Sequence, residues 1–175
     1  MPISVRLVEP DDAPELAVVH ARAWLAAYRG LMSDTFLDGI NIERWQALWT
    51  EMLSGDEMPP VRVAVRDGSL VGFCIVATPS RDNDAGDGVA EIVAMNVSPE
   101  AWRSGAGTAL MNDALDRFRC DGWRVASLWV VDGNDRAQKF YQRFGFELDG
   151  ANTCHEASGA REVRMRLPLT TVVAE

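Results

Sequence analysis

The stretch Val97-Ser98-Pro99-Glu100-Ala101-Trp102-Arg103-Ser104-Gly105-Ala106-Gly107-Thr108-Ala109-Leu110 decides how this chain is read. Apolar residues end at Val97, Pro99 breaks the run, and two glycines alternate with small residues. Leu110, Met111, Ala114, Leu115 and Phe118 then recur on one helical face, with Asn112, Asp113, Asp116 and Arg117 opposite. This is a strand, a glycine turn and an amphipathic helix reaching about Cys120. Such a turn can cradle an anion. Gly105 and Gly107 let the backbone approach phosphate oxygens, and the amides from Arg103 to Thr108 point outward, Ala106 included, at the positive end of the helix dipole. Arg103 and the hydroxyls of Ser104 and Thr108 add donors. On spacing alone a tight turn is the commoner meaning of G-x-G. The pattern is neither G-x-x-x-x-G-K-[ST] nor G-x-G-x-x-G, which disfavours ATP and NAD.

Downstream, Val125 to Val131 is a nearly continuous apolar run, the mark of a central strand covered on both faces. Asn134 caps a helix whose Ala137, Phe140, Tyr141 and Phe144 follow at i, i+3, i+4 and i+7, closed by Gly145. Two strands, about Phe146 to Gly150 and Arg161 to Leu167, flank a loop, and 170–175 reads as a frayed, flexible tail.

Upstream, Ala90 to Val97 is a strand preceded by Arg81 to Gly88, a polar, Gly/Asp-rich connection expected to be mobile. Its aspartates do not make a calcium loop, because the twelfth position from Asp82 is Val93 rather than Glu. Val61, Val63 and Val65 alternate before Asp67-Gly68, a hairpin signal into Leu70 to Ala77. Ile3 to Val8 forms a first strand. Asp12-Ala13-Pro14-Glu15 supplies an N-cap, a first-turn Pro and a capping-box Glu for a helix carrying Leu16, Val19, Ala23 and Ala27 until Gly30. A second helical stretch, Asp34 to Leu53, carries Phe36, Leu37, Trp45, Leu48 and Trp49, and Gly55 to Pro60 breaks the chain. The element order is β-α-α-β-β-β-α-β-α-β-β, an α/β fold.

At 175 residues and 47% hydrophobic content the chain suits a single domain, 1–169. No signal peptide or membrane-length apolar stretch is visible, so a soluble, cytoplasmic protein is expected. Cys74, Cys120 and Cys154 form no C-x-x-C pair and only His20 and His155 accompany them, so neither metal nor disulfide framework is expected. A net charge of −9 disfavours nucleic acid and anionic membrane as partners, and leaves room for a cationic or amine-bearing one.

Taken together, Trp102 to Gly107 and Asn134 to Phe146 resemble the GCN5-related N-acetyltransferase (GNAT) family. Its signature [QR]-x-x-G-x-[GA] corresponds to Trp102-Arg103-Ser104-Gly105-Ala106-Gly107, and N-x-x-A-x-x-[FL]-Y-x-x-x-G-F is matched from Asn134 through Phe146. The resemblance implies the acyl-CoA N-acyltransferase fold, a mixed, mostly antiparallel central sheet flanked by helices. It implies transfer of acetyl from the cosubstrate acetyl-CoA to a primary amine, small-molecule or peptide, by direct attack on the thioester. The absence of a Ser-His-Asp or Cys-His arrangement is consistent with that.

By the same resemblance the backbone of Met95, Asn96 and Val97 holds the pantetheine arm and Asn134 reaches its side. Tyr141 is the general acid toward sulfur, although its pattern alone reads as a core aromatic. Trp102 stands where the family most often has Gln or Arg, and Arg103 is expected to take over any side-chain phosphate contact. Glu91, at the start of a central strand, is the base candidate acting through a water; a solvated strand-end carboxylate is the alternative. His20 and His155 receive no catalytic role, and Arg136 and Lys139 either add positive potential or are solvated. The acceptor pocket falls to Trp24, Tyr28, Phe36, Trp45 and Trp49, which could equally be core. A noncatalytic acyl-CoA-binding or sensing module is the competing reading, and a homodimer is the commonest state for small enzymes.

Overall fold

The computed structural model of the chain describes residues 2–55 and 60–170. Seven strands, β1 (Ser4–Leu7), β2 (Val61–Arg66), β3 (Ser69–Ala77), β4 (Val89–Val97), β5 (Val125–Val131), β6 (Glu147–Cys154) and β7 (Arg161–Pro168), form one sheet in the order β1-β2-β3-β4-β5-β7-β6. Every neighbouring pair is antiparallel except β4 and β5. The helices are α1 (Ala13–Tyr28), α2 (Asp34–Asp38), α3 (Ile42–Leu53), α4 (Ala106–Cys120) and α5 (Asp135–Arg143). This is the expected mixed sheet. No helix among the described residues is long and apolar enough to cross a membrane.

Each sheet face has its own core. Leu110, Met111 and Phe118 of α4 pack with Leu128, Phe146 and Met165 on one side. Leu16 of α1 and Trp49 of α3 pack with Val63 and Phe73 on the other. Burying each such side chain is worth about 1.5–3 kcal/mol, which fixes which way α1 and α4 face. The hairpin between β2 and β3 turns on Asp67 and Gly68, both at positive φ, with Arg66 opposite Ser69.

Three expectations need correcting. Asp34 to Leu53 is two helices, because side chains offer competing caps. The Ser33 hydroxyl accepts the Phe36 amide at 3.2 Å to start α2, and the Asn41 side chain accepts the Arg44 amide at 2.6 Å to start α3. The capping box at Asp12 and Glu15 does not form, because both carboxylates have stronger partners. Asp12 takes both terminal nitrogens of Arg6 at 2.7 Å, and Glu15 accepts the Leu70 amide at 2.9 Å. Finally, the connection Arg81 to Gly88 is tied down. Arg164 of β7 reaches Asp84 at 2.7 Å and Asp82 at 3.4 Å while also holding Asp149 at 2.7 Å, and the Trp129 indole donates to Asp82 at 3.0 Å. Of the expected tail, 171–175 lie outside the described residues, as do 56–59 of the expected break.

Candidate active site

The sheet opens where its parallel ladder stops. β4 and β5 pair only from Val89 with Val125 to Ile92 with Leu128, yet β4 runs on to Val97 and β5 to Val131. Pairing with β3 occupies one edge of β4, so backbone groups along Met95, Asn96 and Val97 face the resulting wedge from the other edge. A cavity of about 200 Å³ fills it, lined by these three residues, by Trp24 and Tyr28 of α1 and by Tyr141 of α5.

The glycine loop sits at the outer end of β4. Arg103 has φ 63 and Gly105 φ 94, so the chain passes twice through the left-handed region before α4 begins. For Arg103 that conformation costs about 1–2 kcal/mol. Among the described residues the amides of Arg103, Gly105, Ala106, Gly107 and Thr108 have no acceptor, leaving five donors at the positive end of α4. The two glycines serve different ends. A Cβ at Gly105 would meet nothing within 4 Å, and its φ is what demands glycine. A Cβ at Gly107 would lie 3.3 Å from the Phe140 ring, so the absence of a side chain here also lets α4 abut α5. Ser104 is corrected as a donor: its hydroxyl and amide both go to the Ala101 carbonyl, at 2.7 and 3.3 Å.

Trp102 shows what its unusual identity does. Its indole donates to the Val97 carbonyl at 2.8 Å, and the Arg136 guanidinium lies 3.2 Å above its ring. This cation–π contact joins the end of β4 to the start of α5 across the wedge. Arg103 is exposed, with its side chain unengaged among the described residues. Asn134 is buried at the start of α5 and accepts the Ala137 amide at 3.2 Å, which leaves its side-chain NH₂ for the cavity it lines. Tyr141 packs beside Phe140 and Phe146 and also lines the cavity, so the core and site readings meet in one side chain. Burial raises its phenol above the ordinary value, so it keeps its proton at neutral pH.

Glu91 is not solvated, being 2% exposed, and it does not line the cavity. Its carboxylate receives the Arg81 amide at 2.9 Å and the Arg81 guanidinium at 2.8 and 3.3 Å. Burial alone would raise its carboxyl, but the bonds from Arg81 carry it below the usual value. His20 is partly buried and lines the cavity: ringed by Trp24, Trp45, Trp49 and Phe73, it is pushed down to about 3 by burial and stays neutral.

The aromatic residues of the first helices divide. Trp49 is core, while Trp24 and Tyr28 face the cavity. Sequence reasoning missed Glu162, which lines the cavity from β7. Strand alternation carried the signal, since Glu162, Arg164 and Arg166 share one face of β7, opposite Val131, Trp129 and Ser127 of β5.

Comparison with known proteins agrees with this geometry. The Acetyltransferase (GNAT) family profile matches residues 15–146. A mycothiol acetyltransferase of Sanguibacter keddieii is 35% identical over 82% of this chain, and the match spans 43% of that protein. An uncharacterised N-acetyltransferase of Methanocaldococcus jannaschii is 31% identical over 82% of this chain and 60% of its own length. The chain thus spans less than two thirds of these curated relatives. Among solved structures, the PaiA N-acetyltransferase of Thermoplasma acidophilum in complex with coenzyme A superposes with a TM-score of 0.77 at 19% identity, covering 96% of this chain and 99% of that one.

Proposed function

Because the chain belongs to the GNAT acetyltransferase family, we propose that it moves an acetyl group from acetyl-CoA to a primary amine by direct attack on the thioester. One juxtaposition carries this reading: five free amides stand at the mouth of a wedge whose inner wall includes Tyr141.

The residues present suit such a cosubstrate. The amides of Arg103 and Gly105 to Thr108 would receive its pyrophosphate, with Arg136 adding positive charge from the facing rim. The free edge of Met95 to Val97 and the Asn134 side chain would hold the amide-bearing arm. Acetyl-CoA supplies the activated acyl group. The amine nitrogen bonds to the thioester carbon, the carbon–sulfur bond breaks, the Tyr141 hydroxyl gives its proton to the leaving sulfur, and the proton that the acylated nitrogen sheds restores the phenol. A phenol that burial keeps protonated is in the state a donor needs. An alkylammonium of pKa about 10 must first lose a proton. Glu91 could take it through a water only once Arg81 has moved aside, because both its oxygens hold that residue.

Calorimetric titration with acetyl-CoA, CoA and ATP tests the reading, with Gly105→Glu as control. Micromolar binding of both CoA species, lost in the variant and absent for ATP, is expected, followed by acetyl-CoA-dependent thiol release across a panel of amines. No CoA binding by the wild type overturns the proposal.

A further inference from the structure

Glu162 is the one carboxylate among the residues lining the cavity. It sits in mid-sheet, opposite Val131 of β5 and Thr153 of β6. Among the described residues its carboxylate receives no hydrogen bond and makes no ion pair, whereas Glu91 on β4 is bound by Arg81 through three nitrogens. A half-buried carboxylate without a donor is an unfavourable arrangement unless a ligand completes it.

No group around Glu162 is bonded to its carboxylate, although His155 lies close enough to favour its ionised form. His20 of α1 is neutral. His155 is held through Nδ1 by the Ser158 amide at 3.2 Å and the Ser158 hydroxyl at 2.9 Å. The Arg136 guanidinium is stacked on Trp102 and also lines the cavity near Tyr28, and Tyr141 is a neutral phenol. Tyr28 is neutral too, its phenol pushed up to about 12 by burial and by Glu162. Trp24 stands between Tyr28 at 5.1 Å and His155 at 5.6 Å, so aromatic rings enclose the carboxylate's side of the cavity. A lone carboxylate among aromatic rings is the donor set that recognises an organic ammonium.

We propose that Glu162, with the rings of Trp24 and Tyr28, forms the subsite that holds the cationic head of the acceptor. The proposal rests on the acetyltransfer reading for the word acceptor, but it is tested without turnover. The probes are benzyltrimethylammonium, which cannot be acetylated, and benzyl alcohol as its neutral counterpart. Each is titrated into wild type, Glu162→Gln and Glu162→Asp saturated with CoA. The wild type should favour the cation at least tenfold, Glu162→Gln should lose that preference, and Glu162→Asp should keep part of it. CoA affinity, measured on the same samples, should agree within twofold among the three. A preference that survives Glu162→Gln, or a wild type that does not bind the cation or does not favour it, overturns the subsite. Loss of CoA binding in the wild type instead overturns the acetyltransferase reading and leaves the cation result to be judged separately.

Discussion

The two sides of the wedge are made of different material. On the side proposed for the cosubstrate the chain offers mostly main-chain groups: the amides of Arg103 and 105–108 and the free edge of β4. On the side proposed for the acceptor it offers side chains, Trp24 and Tyr28 from α1 and Glu162 from β7, drawn from the two ends of the sequence. Main-chain groups are the same in every residue, so one side can stay constant while the other is altered by single substitutions.

The sharpest way to break that contrast is Gly105→Glu. It forces a carboxylate and a left-handed backbone on the cradle at once, and CoA affinity should fall at least about 1,000-fold, about 4 kcal/mol, by calorimetry. A small effect would mean that side chains, not amides, hold the cofactor. Tyr141→Phe comes next: kcat should drop about 100-fold, with the acetyl-CoA dissociation constant within about twofold of wild type. Arg164→Ala should act on stability alone. Removing the shared partner of Asp82, Asp84 and Asp149 should cost about 2 kcal/mol and lower Tm by about 4–8 °C, with CoA affinity unchanged.

The smallest effect sharpens the contrast between Glu91 and Glu162. Glu91 is held below its usual value by Arg81, so the stability it contributes is complete above the ordinary carboxyl range, about pH 4.5, and is lost as pH falls through the lowered value. Burial holds Glu162 above its usual value, so its contribution has the opposite sign and falls as pH rises through its raised value. Thermal melts from pH 3 to 7 should therefore show acid destabilisation in the wild type. In Arg81→Gln the backbone amide and the Ser80 hydroxyl still reach Glu91 but the charged partner is gone, and that part of the slope should shrink.

The same contrast explains what was legible in the sequence. The strand at Val125–Val131, the helix ending at Cys120 and the Asn134 cap stand in the structure as the pattern predicts, because hydrophobic period and cap chemistry are local. The glycine turn before α4 was legible for the same reason, down to the left-handed Gly105. What was not legible depends on neighbours distant in sequence. Gly107 is small for Phe140, Ser104 is taken by Ala101, and Glu91 is covered by a loop that looked unattached until Arg164 was seen to hold it. Glu162 escaped notice because alternation along β7 gives a face but not what that face looks onto.

The short ladder between β4 and β5 has a thermodynamic consequence. Four residue pairs join the two halves of the sheet, and a molecule lying along Met95 to Val97 would stand in for the missing rungs. Occupancy and folding are then one equilibrium: at a ligand concentration 100 times its dissociation constant the folded chain gains about 2.7 kcal/mol. Hydrogen exchange at Trp129 to Val131, across the open part of the seam, should slow with every such gain, making the closing of the sheet a readout of how much acyl donor is present.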